Sequence, residues 1–190
     1  MISLVLGLGN IGDRYRGNRH NLGFRVLQRL IADNQLQMQP GTSKYDWAIK
    51  ETETAKIIFA MPNTYMNCSG IAAKALLQRY SLEPDRMLVV VDDINLPLGR
   101  IRIRAGGSEG GHNGLASIIA ELETENFSRL RLGIGPIPEG VEQVEFVLGD
   151  FKQSETESVE KMIATASEAA MFCVQHGLNE AMSEYNQNPA

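Results

Sequence analysis

Apolar residues along this chain follow two rhythms. Residues 2–8, ISLVLGL, form a continuous apolar run closed by Gly-Asn-Ile-Gly, the pattern of a strand buried on both faces. From His20 to about Gln35 the period lengthens, and Phe24, Leu27, Leu30 and Ile31 recur at helical spacing. Pro40-Gly41 reads as a turn. Strands are predicted over 46–51 and 55–61, the second stopped by Pro62-Asn63, and a helix from about Ser69 with Ile71, Ala72, Ala75, Leu76 and Tyr80 on one face. After Pro84-Asp85, the run MLVVV at 87–91 predicts another fully buried strand, ending in Asp92-Asp93. GRIRIRA alternates, as a half-exposed strand does, and GGSEGG follows as a glycine loop. A helix over 113–123, a strand at RLRLGIG broken by Pro136 and Pro138, a long amphipathic helix over 154–175 and a short helix over 178–185 complete the chain. Strands alternating with helices predict an α/β sandwich with a mostly parallel sheet.

Composition narrows the class. At 190 residues, 43% hydrophobic and 22% charged, the chain has the length and make-up of one globular domain spanning 1–190. No apolar run approaches the ~18 residues of a membrane span. The apolar N-terminus has no basic residue ahead of it, so it reads as a strand rather than a signal peptide. The two cysteines, Cys68 and Cys173, form no metal-spaced cluster and suit a reducing cytoplasm.

The net charge of −5 argues against a protein that coats nucleic acid throughout, but the charge is unevenly spread. Residues 1–50 hold seven Lys/Arg against three Asp/Glu, whereas 101–150 hold four against eight. Cations gather at Arg14, Arg16 and Arg19, at Arg100, Arg102 and Arg104, and at Arg129 and Arg131. These are either solvated faces or a local phosphate-binding surface on an acidic protein.

Gly7-Leu8-Gly9-Asn10-Ile11-Gly12 has the form of a dinucleotide fingerprint. Its context argues otherwise. The third glycine leads into Asp-Arg-Tyr-Arg-Gly-Asn-Arg rather than a helix, and Asp33 falls at a helix end rather than at the end of a second strand. The glycines more simply permit a tight turn at the carboxyl edge of the sheet, where open α/β sheets build their sites.

Polar residues converge on that edge: Asn10 after the first strand, His20 after the basic loop, Asn67 after Met61-Pro62, Asp92 after MLVVV, and His112-Asn113 after the glycine loop. Singly, each has a bland reading as turn residue, helix cap or surface group. Together they suit general-base hydrolysis. Histidine accepts a proton near neutral pH, a buried carboxylate fixes its tautomer, and asparagine amides donate to a carbonyl or oxyanion without titrating. No Cys/His cluster indicates zinc, and no G-x-S-x-G elbow indicates a serine nucleophile.

The segments GLGNIGDRYRGNRHNLGF, PNTYMNCSG, VVVDDINLPLGRIRIR, GGSEGGHNGL and FSRLRLGIGP, with FVLGDF at 146–151, resemble in order and spacing the bacterial peptidyl-tRNA hydrolases. The resemblance implies a single-domain three-layer sandwich, with helices on both faces of a mixed, mostly parallel twisted sheet. It implies a cytoplasmic monomer without cofactor or metal. The reaction it implies is cleavage of the ester joining a peptide to the 3′ ribose of tRNA. Carried over by motif, His20 is the general base, Asp92 its carboxylate, and Asn10 distinguishes N-blocked peptides. Tyr15, Tyr65, Met66, Asn67, His112 and Asn113 line the groove for the peptide and the 3′ end, and Arg104 and Arg131 grip the tRNA's terminal phosphate. Three positions depart from the family pattern: Ile11 in place of proline, Asn18 in place of threonine, and Glu109 within the glycine loop. A non-catalytic RNA–protein adaptor on the same fold is the alternative, and the intact Asn10, His20, Asn67, Asp92 and Asn113 set favours the enzyme.

Overall fold

The computed structural model describes residues 1–52 and 55–187. Seven strands form one sheet: β1 (Leu4–Gly7), β2 (Gln39–Thr42), β3 (Tyr45–Glu51), β4 (Lys56–Pro62), β5 (Met87–Pro97), β6 (Ile101–Arg104) and β7 (Ser128–Gly135), in the spatial order β2-β3-β4-β1-β5-β7-β6. The helices are α1 (Leu22–Asp33), α2 (Ser69–Tyr80), α3 (Asn113–Leu122), α4 (Gln143–Leu148), α5 (Thr156–His176) and α6 (Leu178–Tyr185).

Alternation along β1 explains the layers. Val5, with Ile2 just before the strand, packs into a core shared with Val26, Leu27 and Leu30 of α1 and Ile163, Ala166 and Ala170 of α5. Leu4 and Leu6, with Leu8 beyond, face a second core with Ala72 and Leu76 of α2 and Leu115 and Ile118 of α3. A strand read as buried on both faces is therefore buried on both faces, with a helical layer on each.

The sheet is mixed but not mostly parallel. β4, β1, β5 and β7 form a parallel centre. β2 against β3, β3 against β4, and β6 against β7 are antiparallel. The reason lies in connection length: only residues 52–55 separate β3 from β4, far fewer than the dozen or so that a parallel crossover needs. Two further expectations change. Pro40-Gly41 lies inside β2 rather than in a turn, which an exposed edge strand tolerates, and the short α4 has no counterpart among the predicted elements.

The turn after β1 does not open a helix. Gly12, at φ 107°, leads into a 3₁₀ turn at Asp13–Tyr15, and α1 begins only at Leu22. This removes the dinucleotide reading. The helix nonetheless starts close against the sheet. A Cβ at Gly23 would lie 2.4 Å from the Val90 carbonyl and 2.5 Å from Leu8 N, so only glycine lets α1 dock with His20 just above the edge.

Candidate active site

The carboxyl ends of β1 and β5 differ in height. Gly7 pairs with Val90 at the end of β1, and β5 continues to Pro97. Asp92 sits on this overhang, 4% exposed. His20 reaches it from a 3₁₀ turn at Arg19–Asn21. Its Nδ1 lies 2.9 Å from Asp92 Oδ1 and 3.1 Å from Oδ2. A carboxylate only accepts, so His20 Nδ1 carries the ring proton and Nε2 keeps its lone pair. Burial pushes the Asp92 carboxyl up. The electrostatic pull of the His20 and His112 imidazoles, and the hydrogen bonds both make to the carboxylate, outweigh it and hold the group well below the usual carboxylate range.

The turn that carries His20 is clamped from the far end of the chain. Arg19 donates from Nη1 to the Asp150 carbonyl at 2.7 Å and from Nη2 to Glu155 at 3.0 Å. Its guanidinium stacks 4.5 Å from the Phe146 ring centroid and 4.9 Å from that of Phe151. Arg19 is thus a buried structural cation, not part of an exposed basic loop as its sequence neighbours suggest. Asn18, where the family pattern has threonine, is buried and pairs its backbone with Asp150.

Asn21 adds a brace that sequence reasoning missed. Its Oδ1 accepts the Asn10 N–H at 2.8 Å, and its Nδ2 donates to the Asn10 carbonyl at 3.0 Å. Asn10 in turn accepts the Met66 N–H through Oδ1 at 2.9 Å, which leaves its own amide N–H₂ available as a donor. Met66 is buried against Gly114, where a Cβ would lie 2.6 Å from its Sδ.

His112 closes the network. Its Nδ1 accepts from Gly114 N at 3.1 Å and Leu115 N at 3.3 Å, and its Nε2 lies 3.2 Å from Asp92 Oδ1. The two imidazole centroids are 4.7 Å apart. His20, Asp92, His112 and Asn113 line one cleft, walled by the glycine loop and by Gln143, Val144 and Val147 of α4. Gln143 Nε2 donates to the Gly111 carbonyl at 3.2 Å. Asn113 is exposed in this cleft, and Tyr65 and Asn67, exposed, flank the buried Met66. Tyr15 stands on the 3₁₀ turn after Gly12, half-buried beneath the Arg14 guanidinium.

Two imidazole nitrogens and a carboxylate oxygen lie within 4.8 Å of one another, a donor set that transition metals accept. The proton positions do not fit a metal. With Nδ1 occupied as an acceptor, His112 keeps its proton on Nε2, aimed at Asp92. Ligation through Nε2 would require an imidazolate or a broken helix cap.

Beside the cleft, a cavity of about 270 Å³ is lined by Arg104, Arg129, Arg131 and the glycine loop from Gly106 to Gly110. Arg131 pairs with Asp93, Nε to Oδ2 at 2.5 Å. Asp93 thus turns to Arg131 while its neighbour Asp92 turns to His20. Arg129 is 2% exposed, lies over the Phe127 ring, and has no hydrogen-bond partner for Nε or Nη2 among the described residues. Burial lowers its pKa. Glu109 lines both the cleft and this cavity.

A family model described as peptidyl-tRNA hydrolase matches residues 4–190. The peptidyl-tRNA hydrolase of Dehalococcoides mccartyi strain 195 is 43% identical over 188 residues, covering 97% of this chain and 100% of that protein. The peptidyl-tRNA hydrolase of Chlorobaculum parvum is 41% identical over 191 residues, covering all of both chains. The crystal structure of peptidyl-tRNA hydrolase from Acinetobacter baumannii matches with a TM-score of 0.91 at 31% identity, over 98% of this chain and 95% of that one.

Proposed function

This chain belongs to the peptidyl-tRNA hydrolase family, and from that membership we propose that it hydrolyses peptidyl-tRNA with His20 as general base and Asp92 as the carboxylate behind it. The observation that carries the reading is the buried His20–Asp92 pair at 2.9 Å, in which Nδ1 faces the carboxylate and Nε2 keeps its lone pair on a ring that lines the cleft.

The substrate ester joins the peptide's carboxyl carbon to a ribose 3′ oxygen. Nε2 of His20 takes a proton from water as the water oxygen bonds to that carbon. Asp92 stabilises the imidazolium that results. The free amide of Asn10 and that of Asn113 donate to the developing oxyanion. Collapse breaks the bond from that carbon to the ribose 3′ oxygen, and His20 returns its proton to the 3′ oxygen. Free peptide and tRNA leave, and the protein is unchanged. Tyr15, Tyr65, Met66 and Asn67 shape the walls for the peptide and the 3′ end. Asn10 is suited to an N-blocked substrate, because its carbonyl and Oδ1 are already spent on Asn21 and Met66.

Arg104 and Arg131 hold the tRNA's terminal phosphate at the glycine loop. Asp93 anchors Arg131 by an ion pair at Nε, and the buried Arg129 on the same cavity adds positive potential. Charge there supplies affinity, while the cleft selects the ester. The proposed working form is a cytoplasmic monomer that needs neither cofactor nor metal; one chain supplies every group named, and the donor atoms of the cleft bond to one another. No helix among the described residues is long and apolar enough to cross a membrane.

The test is turnover of a labelled N-acetyl-aminoacyl-tRNA by the purified protein in EDTA, beside the unblocked aminoacyl-tRNA. The reading expects rapid release from the first substrate and little from the second. Binding without release would replace it with the adaptor.

A further inference from the structure

The glycine loop enters α3 through an uncommon cap. The position before a helix usually carries Ser, Thr, Asp or Asn, whose oxygen accepts the orphan N–H groups. Here the imidazole of His112 does so, through Nδ1 to Gly114 N and Leu115 N. Protonating Nδ1 would point a donor at two donors, at the positive end of the helix. One state satisfies every contact: neutral, with the proton on Nε2 and directed at Asp92 Oδ1, 3.2 Å away.

We propose that His112 is a positioning residue of the hydrolytic site, a tautomer-locked donor that caps α3 through Nδ1, shares Asp92 with His20 and so weakens the carboxylate's pull on the base. The proposal rests on His20 being the general base. A carboxylate bonded to one imidazole alone favours that imidazole's cation strongly and raises its pKa. A second N–H donor spreads the carboxylate's charge, so its pull on the base is weaker while the base still gains support when it takes a proton. The effect matters because His20, Asp92 and His112 are each at most 9% exposed and solvent screens them little. What holds the His112 ring neutral is the pair of backbone N–H donors on Nδ1, set against the pull of the surrounding acids. Asp92 faces it from β5, the His20 ring from the turn before α1, and Glu109 from its own loop. Asp93 and Arg131, farther along the cleft, neutralise each other.

The two edges of the ring can be separated by substitution. Asparagine offers an acceptor in place of Nδ1 but does not reach Asp92. Glutamine places an amide N–H near the position of Nε2 but caps the helix poorly. His112→Asn is expected to retain the melting temperature while the acid limb of kcat/KM moves up by roughly half a pH unit or more. His112→Gln is expected to keep the limb in place and melt lower. ¹⁵N NMR of the histidine-labelled wild type is expected to show His112 with an unprotonated Nδ1 that does not titrate from about pH 5 to about pH 9. A titrating His112, a proton on Nδ1, an unmoved limb in the asparagine variant, or equal displacement in both variants overturns the proposal. The NMR reads the resting protein, so its failure is distinct from a failure of hydrolysis.

Discussion

Asp92 is nearly dry, ionised, and shared by two imidazoles. Asp92→Asn would set an amide N–H₂ against ring N–H groups or force His20 into the wrong tautomer. Turnover should fall by about 10²–10⁴-fold with tRNA binding retained, as single-turnover rates and filter binding would show. The same carboxyl links stability to pH. Its folded-state pKa is depressed, so its contribution is fully present above the unfolded value of about 3.9 and is lost as pH falls below it. Urea midpoints at about pH 5 and about pH 3 should therefore separate more for wild type than for Asp92→Asn. Asn10, Asp92 and His112 were readable beforehand because each is a polar residue set just past an apolar run or a glycine loop, and His20 because it closes the basic loop. Asn21 and Arg19 were not. Asn21 grips the backbone of Asn10, which leaves no side-chain pattern to find. Arg19 looks like any solvated cation until Phe146 and Phe151, far along the chain, close over it.

Among the elements, the contact of α1 with β1 and β5 sets the position of His20. Gly23→Ala would bring a Cβ within 2.5 Å of backbone atoms on both sides, and neither can yield as a flexible side chain would. The helix must move, at a cost of about 1–3 kcal/mol, and it carries the turn with it. Urea denaturation should show the destabilisation, and hydrolysis at a temperature where the variant is folded should be slowed as well. Most strands and long helices were readable from their periods: the helices over 69–80, 113–122, 156–176 and 178–185 lie within two residues of where the pattern placed them. Strand direction was harder. The apolar run of β4 is the same whether its neighbour is parallel or antiparallel, and only the brief 52–55 connection tells them apart. α4 is six residues long, too short for a periodic signal, and the cleft loses one wall without it.

Over the whole molecule, an acidic protein must attract a polyanion through one local surface. Arg104 is exposed at the end of β6, and Arg131 lies opposite Arg102 in the β6–β7 register. Arg104→Ala should weaken tRNA binding and reduce the slope of log K against log salt by about one unit. Arg131→Ala alone would strand the buried Asp93, so the paired change with Asp93→Asn is the cleaner probe; because the pair is neutral as a unit, the slope should fall by less than for Arg104→Ala. Binding of uncharged tRNA at several salt concentrations checks both, and unchanged slopes would move the phosphate site elsewhere. The cationic clusters were visible in the sequence. Their division into buried Arg19 and Arg129, paired Arg131 and exposed Arg104 was not, because burial depends on which distant aromatic or acid arrives beside each one. Catalysis here turns on His20 Nε2 taking the proton from water, and the hydrolysis rate of N-acetyl-aminoacyl-tRNA by His20→Ala, confirmed folded by its melting curve, tests this most directly. A loss of about 10²–10⁴-fold is expected; a variant retaining more than roughly half the wild-type rate, set against that range, would rule out His20 as the base.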